Sequence, residues 1–403
     1  MVGQDTTDSG RGSIELVAAY AFDHGPFTAT EAMGATGLTR ATVLKTCEDL
    51  ATTGWIRELD DARAAGDYRM GRPARRYELA EDAAFVVGLD VGQHRVAALV
   101  ADLRGIVVAR AELPIIGGDT DPELRLATAH AVVERATAAA GVAAGQVLVT
   151  AVGVPAPVDA RGRSPRGDHD YWSRMNPGFA GALDEWGHIE LENDANLAAA
   201  AERAHGTVAR ESIGVLLAGE HFGAGLIVDG VLLHGATGGA GELRVLGMVE
   251  GVGSSIGLEG ALRRWVHEER QTGMIPPDST LADIPTATLD LDAVVSAASA
   301  GDAYAWSLVD RLGERLGRVC AVLSSLLDVE EIVVAGGTAA AATPVVARAQ
   351  SWLQEGSYAP TPIVRASQLG VDVVALGAIT RAIATIRRQH ARFAEAIVAP
   401  GRR

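Results

Sequence analysis

The first 80 residues combine helix-like spacing of apolar residues with two short strand-like stretches. Apolar positions recur at helical intervals over residues 14–22, 29–35 and 38–50, and Thr39 is placed to cap the third of these helices. Residues 55–59 and 77–79 are predicted as strands on either side of a long turn. Three helices followed by a two-stranded wing are the order of elements in a winged helix-turn-helix, whose third helix enters the major groove of DNA. Residues 1–80 are therefore predicted to bind DNA.

The side chains expected to meet DNA lie on the third predicted helix and in the turn of the wing. The apolar face of this helix carries Val43, Leu44, Cys47 and Leu50, and its polar residues Arg40, Thr42, Lys45 and Thr46 are expected largely off that face. Residues 69–76 contain four arginines and no acid, so this loop can contact phosphates in an otherwise acidic chain. The residues predicted to meet the major groove are Thr39, Arg40, Thr42 and Lys45, and those predicted to reach phosphates or a minor groove are Arg72, Arg75 and Arg76. The alternative is an amphipathic helical cap beside a solvated charged loop.

From residue 85 onward, strand-like apolar runs repeatedly end in glycine-containing turns. The run 85–92 is a buried strand that ends with Asp90 and Gly92, and two more strands are predicted at 94–102 and 106–110. Later strands, at 213–217 and 331–335, lead to Gly219, Glu220, Gly336 and Gly337. A single strand–glycine junction is usually only a tight turn. Three of them, with helices between, predict one nucleotide-sized cleft between two lobes.

Composition narrows the class of protein. A chain of 403 residues with 48% hydrophobic residues is long enough for two or three domains with their own cores. Cys47 and Cys320 are its two cysteines, which excludes a disulfide framework and a thiolate zinc cluster and fits a reducing cytoplasm. The N-terminus lacks the basic and apolar regions of a signal peptide, and no apolar run is long enough to span a bilayer. Secretion and a membrane partner are therefore not expected.

The net charge of −16 argues, on average, against binding to nucleic acid. Residues 1–80 carry nine Lys+Arg against twelve Asp+Glu, a net charge of −3, which leaves −13 to the rest of the chain. The acidic charge therefore lies mostly outside the predicted DNA-binding domain. A few placed arginines are expected to give weak non-specific binding with strong salt sensitivity.

The segment Glu192-Asn193-Asp194-Ala195-Asn196, followed by an Ala-rich helix, resembles the signature of the ROK family (repressors, open reading frames and sugar kinases). Further matching stretches are 152–159, 239–242, 332–337, 369–372 and 376–378, so the resemblance spans about residues 85–385. It implies an α/β fold in which a winged helix-turn-helix (1–80) precedes a two-lobed actin-like ATPase fold of the ribonuclease H-like, sugar-kinase type. Lobe 1 is expected over 81–200, with a C-terminal helix returning at 375–395, and lobe 2 over 201–374. This layout is that of the family's transcriptional regulators, such as xylose repressors.

The resemblance also implies a sugar site. Asp194 corresponds to the carboxylate that serves the family's kinases as the base for the attacking hydroxyl, and here it is expected to remain as a vestigial base. Asn193, Glu242 and Glu259 would complete a polar ring around the sugar hydroxyls. The alternative for this segment is an ordinary strand-to-helix cap. Three aromatic residues nearby either stack on the sugar or belong to the core, as aromatic residues in such a lobe usually do: Trp172, Phe179 and Trp186.

Departures from the family pattern favour a regulator over a kinase. The first phosphate loop of the kinases reads Asp-x-Gly-Gly-Thr, whereas this chain has Asp90-Val91-Gly92-Gln93-His94, without the second glycine and the hydroxyl. The second loop, Gly-Thr-Gly-x-Gly, is replaced by Gly-Glu-His-Phe-Gly at 219–223, which would place the Glu220 carboxylate against a phosphate. Val245 stands where zinc-binding members have His, and residues 251–259 contain no Cys. ATP binding, a metal, any other cofactor and catalysis are therefore not expected.

Together these features predict a ligand-responsive transcriptional regulator, expected to be a repressor, in the cytoplasm and associated with the nucleoid. Its expected partners are a double-stranded DNA operator and a sugar-like effector bound between the lobes. Because one winged helix reads few base pairs, a homodimer or a dimer of dimers on a pseudo-palindromic site is expected. The apolar helix predicted over residues 303–327 is a candidate for packing in the lobes or for the dimer interface. Two alternatives stay open: a sugar kinase with an appended DNA-binding domain, and a sensor lobe that docks a partner protein.

Overall fold

A computed structural model describes residues 5–59, 75–115, 121–165, 171–207, 210–356 and 361–393. The N-terminal unit contains α1 (Asp5–Asp23), β1 (Phe27–Thr28), α2 (Ala29–Thr36), α3 (Arg40–Thr52), β2 (Ile56–Glu58) and β3 (Arg76–Leu79). β3 pairs antiparallel with both β1 and β2 and is the central strand of a small sheet. The predicted helices and strands lie at these positions. The apolar pattern misses β1 and the first turns of α1, because these stretches are short or polar.

Capping and burial explain how α3 is placed. The Thr39 hydroxyl accepts a hydrogen bond from the backbone N–H of Thr42 at 3.3 Å, so the predicted N-cap is confirmed. One expectation for this helix is wrong: Thr46, placed largely off the apolar face, is only 4% exposed. The reason is its spacing, since it lies three residues after Val43 and four before Leu50, on the face that packs into the core.

Lobe 1 is built on the sheet order β6-β5-β4-β7-β8. Its elements are β4 (Phe85–Val91), β5 (Arg95–Asp102), β6 (Val107–Pro114), α4 (Pro122–Ala140), β7 (Val147–Val154), α5 (Tyr171–Met175), α6 (Phe179–Ala182), β8 (His188–Asn193) and α7 (Asp194–His205). The first three strands form an antiparallel meander, and β7 and β8 extend it in parallel. The ends of β4, β7 and β8 therefore meet at one edge.

Lobe 2 is built on the sheet order β11-β10-β9-β12-β13. Its elements are β9 (Ile213–Leu217), β10 (Gly223–Val228), β11 (Val231–Leu232), α8 (Leu258–Gln271), α9 (Leu291–Ser299), α10 (Ala303–Leu327), β12 (Glu331–Ala335), α11 (Thr343–Glu355) and β13 (Ile363–Ala366). The chain then continues into α12 (Val373–Arg388) and α13 (His390–Phe393). The predicted helix 303–327 is confirmed as α10, which packs against α9 and α11 within this lobe. None of the helices in the described part of the chain combines the length and apolarity needed to cross a membrane.

Helices α7 and α12 pack against each other between the two sheets, with α12 against β4 and β7 and α7 against β9 and β10. Glycines permit this close packing. A Cβ atom at Gly377 would lie 1.9 Å from the carbonyl oxygen of Leu197, and one at Gly225 would lie 2.1 Å from that of Ala195. No side chain fits at such distances, so the junction of the lobes depends on these two positions.

We expect Gly377→Ala to lower the free energy of unfolding by about 2 kcal/mol, because the methyl group forces α12 away from α7. Urea denaturation followed by circular dichroism measures the change. Gly145→Ala is the matched control, since a Cβ there meets no atom within 4 Å. Equal stabilities for the two variants would show that the close approach is not important for folding.

Candidate functional site

A cavity of about 700 Å³ lies between the two lobes, where the ends of β4, β8, β9 and β12 come together. It is lined by the residues predicted for the ligand site and the phosphate loops: Asp90, Gly92, Asn193, Asp194, Gly219, Glu220, Glu242, Glu259, Gly336 and Gly337. These residues come from segments up to about 250 positions apart, so the structure brings together the three glycine junctions that the sequence singled out. Their roles toward a ligand remain predictions.

The segment around Asp194 is both a helix cap and a wall of the cavity. Asn193 ends β8 and caps α7, because its Oδ1 accepts a hydrogen bond from the backbone N–H of Asn196 at 3.1 Å. Its Nδ2 donates to the Ala156 carbonyl at 3.2 Å, which leaves one amide hydrogen for a ligand. The cap considered from sequence is thus present at Asn193. Asp194, the next residue, starts α7 and faces the cavity.

Burial shifts the acids of this cavity toward their protonated forms. Burial, and then the neighbouring charge of Asp90, raise the pKa of Asp194 to about 8. Burial raises the pKa of Asp90 to about 6 against the opposing effect of Arg95. Burial also raises the pKa values of Glu242 and Glu259. The raised pKa favours the protonated form of the Asp194 carboxyl at neutral pH, and in that form the carboxyl can both donate a hydrogen bond to a hydroxyl and accept one from it.

In the second glycine loop, residues 219–223, the surroundings of Glu220 differ from those expected from the sequence. Glu220 lines the cavity as expected, but its carboxylate forms an ion pair with Arg263 of α8 and is not an unscreened charge. Arg263 also lies 3.6 Å from Glu259, one helical turn earlier. The repulsion between Glu220 and a phosphate was expected only in the absence of a cation, and Arg263 supplies one, so this repulsion alone does not exclude phosphate. The sequence offered no signal for this pair, whose members are 43 residues apart.

The backbone of the second loop is hydrogen-bonded to the start of α8. The N–H groups of Gly257, Leu258 and Glu259 at the start of α8 donate to the carbonyl oxygens of Glu220, Ala218 and Gly219 at 2.7, 2.7 and 3.1 Å. A helix N-terminus binds phosphate through these same free N–H groups. Here they are satisfied by the loop itself, so this end of α8 offers little to a phosphate.

Two arginines that were not predicted from the sequence contact the first loop. The Arg95 guanidinium lies 3.2 Å from Asp90 and 3.2 Å from Asp372, at the start of α12. Arg125 of α4 is buried and donates to the carbonyl oxygens of Val91 and Gly92 at 2.8 and 3.1 Å. The backbone of this loop is thus held by Arg125, and the Asp90 carboxyl has Arg95 as a cationic partner.

Of the three aromatic residues considered from sequence, two belong to the core and one, Trp172, lines the cavity. Phe179 is fully buried and Trp186 is 4% exposed, and both belong to the core of lobe 1. Trp172 instead lines the cavity, with the Arg244 guanidinium 4.1 Å from its ring centroid. Trp172 belongs to lobe 1 and Arg244 to lobe 2, so this contact spans the cleft. Arg244 was not predicted from the sequence.

The residues predicted to contact DNA divide into exposed and internally bonded side chains. Thr39, Arg40 and Lys45 are exposed at α3 and its N-cap. Thr42 is half-buried, with its hydroxyl 2.8 Å from that of Thr39. In the wing, Arg75 lies 3.4 Å from Glu58 and 3.8 Å from Glu48, and Arg76 donates to the Pro26 carbonyl at 3.4 Å. Arg72 lies outside the described residues.

The N-terminal unit docks on lobe 1 through α1 and α12. Arg387 of α12 forms an ion pair with Asp23, the last residue of α1. Arg104, after β5, donates to the His24 carbonyl at 3.1 Å. Buried apolar side chains form one continuous core from Val17 of α1 to Ile386 of α12. Because the first turn of α12 lines the cavity, this helix connects the cavity with the N-terminal unit.

Comparisons with known proteins agree with this architecture. The sequence profile of the ROK family matches residues 86–384. The chain is similar to a glucokinase of Halalkalibacterium halodurans, 31% identical over 170 residues, which is 38% of this chain and half the length of that protein. Among solved structures, it resembles a ROK family transcriptional regulator, a homolog of E. coli MLC protein, with a TM-score of 0.71, 21% identity, and coverage of 92% of this chain and 97% of that one. It also resembles a ROK family glucokinase from Streptomyces griseus in complex with glucose and AMPPNP, with a TM-score of 0.61, 23% identity, and coverage of 74% and 99%.

Proposed function

The chain belongs to the ROK family, and we propose that it acts there as a ligand-responsive transcriptional regulator, most simply a repressor. The observation that carries the proposal is the N-terminal unit, in which a capped helix α3 exposes Arg40 and Lys45 beside a three-stranded sheet. The order of these elements supports assignment of the unit as a winged helix-turn-helix, in which α3 would be the helix for the major groove. The likeness to the regulator covers 92% of the chain and that to the glucokinase 74%, a difference in keeping with this extra unit.

The proposal assigns residues 1–80 to DNA binding and the two lobes, 81–200 with 375–395 and 201–374, to sensing. Bases would be contacted from α3 and its N-cap, by Thr39, Arg40, Thr42 and Lys45. Phosphates would be contacted from the wing, by Arg72, Arg75 and Arg76. In the free protein Arg75 is held by Glu48 and Glu58, so it would exchange these carboxylates for phosphate on binding. A dimer on a pseudo-palindromic operator follows from the few base pairs that one α3 can read.

We propose that a sugar-type ligand occupies the cavity between the lobes. Asp194, Glu242 and Glu259 supply hydrogen-bond donors and acceptors there, and the Trp172 ring offers an apolar face for a sugar ring. Such a ligand contacts both lobes and therefore favours their closed arrangement. Since α12 runs from the cavity to Asp23 of α1, closure would move the two winged helices of a dimer relative to each other and change their fit to the half-sites.

The second function considered is a sugar kinase, which the similarity to a glucokinase keeps open. The internally bonded start of α8 argues against it, because the N–H groups there would have to release the carbonyl oxygens of the second loop before they could bind a phosphate. We expect isothermal titration calorimetry with ATP and Mg²⁺ to give no saturable heat, with or without glucose. Saturable binding of ATP together with phosphate transfer to a sugar would overturn the non-enzymatic assignment.

Footprinting on the DNA upstream of the protein's own coding region tests the regulator directly. We expect a protected two-fold symmetric site at moderate salt, with protection weakened by one member of a panel of sugars. If no sugar changes the protection of the DNA site but addition of a cell extract does, the result would favour a protein-docking role for the lobes. Absence of any protected site, there and on other genomic fragments, would contradict DNA binding.

A further inference from the structure

A second cavity, of about 380 Å³, lies outside the cleft between the lobes, along one face of α12. Its floor is apolar, because Ile379, Ile383 and Ala384 of α12 line it. The turn between β5 and β6 closes one side with Arg104 and Gly105. The volume is that of a small-molecule site and suits an organic molecule of modest size.

Three arginines stand on the rim of this cavity. Arg104, Arg387 and Arg388 line it, and the described lining residues include no carboxylate, in a chain whose net charge is −16. Guanidinium groups are charged at all physiological pH values and match phosphate and carboxylate geometry. His205, at the end of α7, and the hydroxyl of Thr380, 3.0 Å from its Nε2, add polar partners.

The three arginines differ in their existing partners. Arg104 lies 2.9 Å from Glu81, and Arg387 pairs with Asp23, both acids outside the cavity lining. Within the residues that the structure describes, Arg388 forms no ion pair and donates instead to the Thr385 hydroxyl at 3.2 Å. Arg388 is exposed and is thus the guanidinium best able to take an external anion.

We propose that this second cavity binds a small organic anion. Its anionic group lies among the three arginines, with Arg388 as the main contact, and its apolar body lies against Ile379 and Ile383. The assignment does not depend on the proposed function of the first cavity. It has a consequence for the N-terminal unit, because Arg104 and Arg387 also hold His24 and Asp23 at the end of α1. An occupant competes with α1 for these donors and loosens its docking.

Titration calorimetry on the full chain tests the site with phenyl phosphate as the probe, inorganic phosphate as the charge control and benzyl alcohol as the apolar control. We expect saturable one-to-one binding of phenyl phosphate, weaker binding of inorganic phosphate and none of benzyl alcohol. Arg388→Gln should weaken binding of phenyl phosphate by about tenfold, the loss typical of one charge-assisted contact. Ala384→Leu should weaken it by filling the floor.

Arg392→Gln is the matched control, since Arg392 is exposed on α13 and does not line the cavity. It should leave binding of phenyl phosphate unchanged. The proposal is overturned if phenyl phosphate does not bind saturably, or if its affinity is the same in wild type, Arg388→Gln and Ala384→Leu. It is also overturned if Arg392→Gln loses as much affinity as Arg388→Gln, because the effect would then come from net charge alone.

Discussion

Replacing Arg40 and Lys45 together with alanine is expected to reduce affinity for the operator by roughly 100-fold or more, because each side chain that contacts DNA contributes about 1–3 kcal/mol. Both residues are exposed on α3 and make no ion pair within the described part of the chain, so DNA would not have to displace a protein partner. Fluorescence anisotropy with the footprinted DNA, at several salt concentrations, measures the loss.

The matched control removes two arginines elsewhere on the surface, Arg161 and Arg210, both exposed and far along the chain from α3. Its net charge equals that of the Arg40→Ala/Lys45→Ala variant, so a non-specific charge effect would appear in both. We expect the control to bind almost as wild type does. If both double variants lose affinity equally, α3 is not the recognition helix.

Replacing Asp194 with asparagine is expected to stabilise the protein, most strongly above neutral pH. In the folded state the pKa of Asp194 is raised from 3.8 to about 8, so the folded protein keeps a proton that the unfolded chain loses near pH 4. The aspartate therefore destabilises the fold increasingly as pH rises from about 4 to about 8. Asparagine cannot ionise and keeps an oxygen in the place that accepts the Ala195 N–H at 2.8 Å.

The expected gain at pH 8 is roughly 2–4 kcal/mol in the free energy of unfolding, somewhat less than the full pKa shift implies. Urea denaturation at pH 4, 6 and 8 measures it, and the gain should vanish at pH 4. Glu112→Gln provides a control of opposite sign, because Arg110 lowers the pKa of that exposed carboxyl. A gain for Asp194→Asn that does not depend on pH would show that the buried charge is not its cause.

Local patterns in the sequence were sufficient to predict the helices and strands and the glycine junctions that meet at the cavity. The cap at Thr39, the helix α10 and the strands ending at Val91, Leu217 and Ala335 follow from spacing and turn residues within short windows. Asp194, Glu242 and Glu259 were assigned through the resemblance to the ROK family, whereas the glycines of the cavity were predicted because each closely follows the end of a strand. Parallel strands place such positions at one edge of their sheet.

The arginines that complete the site could not be predicted in this way. Arg95 reaches Asp372, which is 277 residues later, and Arg263 neutralises Glu220 from a different element. Such pairs depend on the packing of whole lobes, and an arginine on a strand or helix gives no sign of which carboxylate it will meet. The same holds for Arg387, whose pairing with Asp23 joins the two ends of the chain.

These contacts show that the acidic net charge is a poor guide to the potential at the predicted DNA-binding surface. Arg75 of the predicted DNA-contacting loop is already paired with acids of the same unit, so net charge and a count of arginines both misjudge the potential that DNA would meet. Binding would exchange internal ion pairs for phosphate contacts, and its salt dependence would reflect both sets of charges.

Selection of genomic DNA fragments by the purified protein tests the central claim most directly. Wild type should enrich a small set of fragments that share an inverted repeat, and the Arg40→Ala/Lys45→Ala variant should enrich none of them. If wild type enriches no fragment at moderate salt, or if the variant enriches the same set, the chain is not a transcriptional regulator that reads DNA through α3.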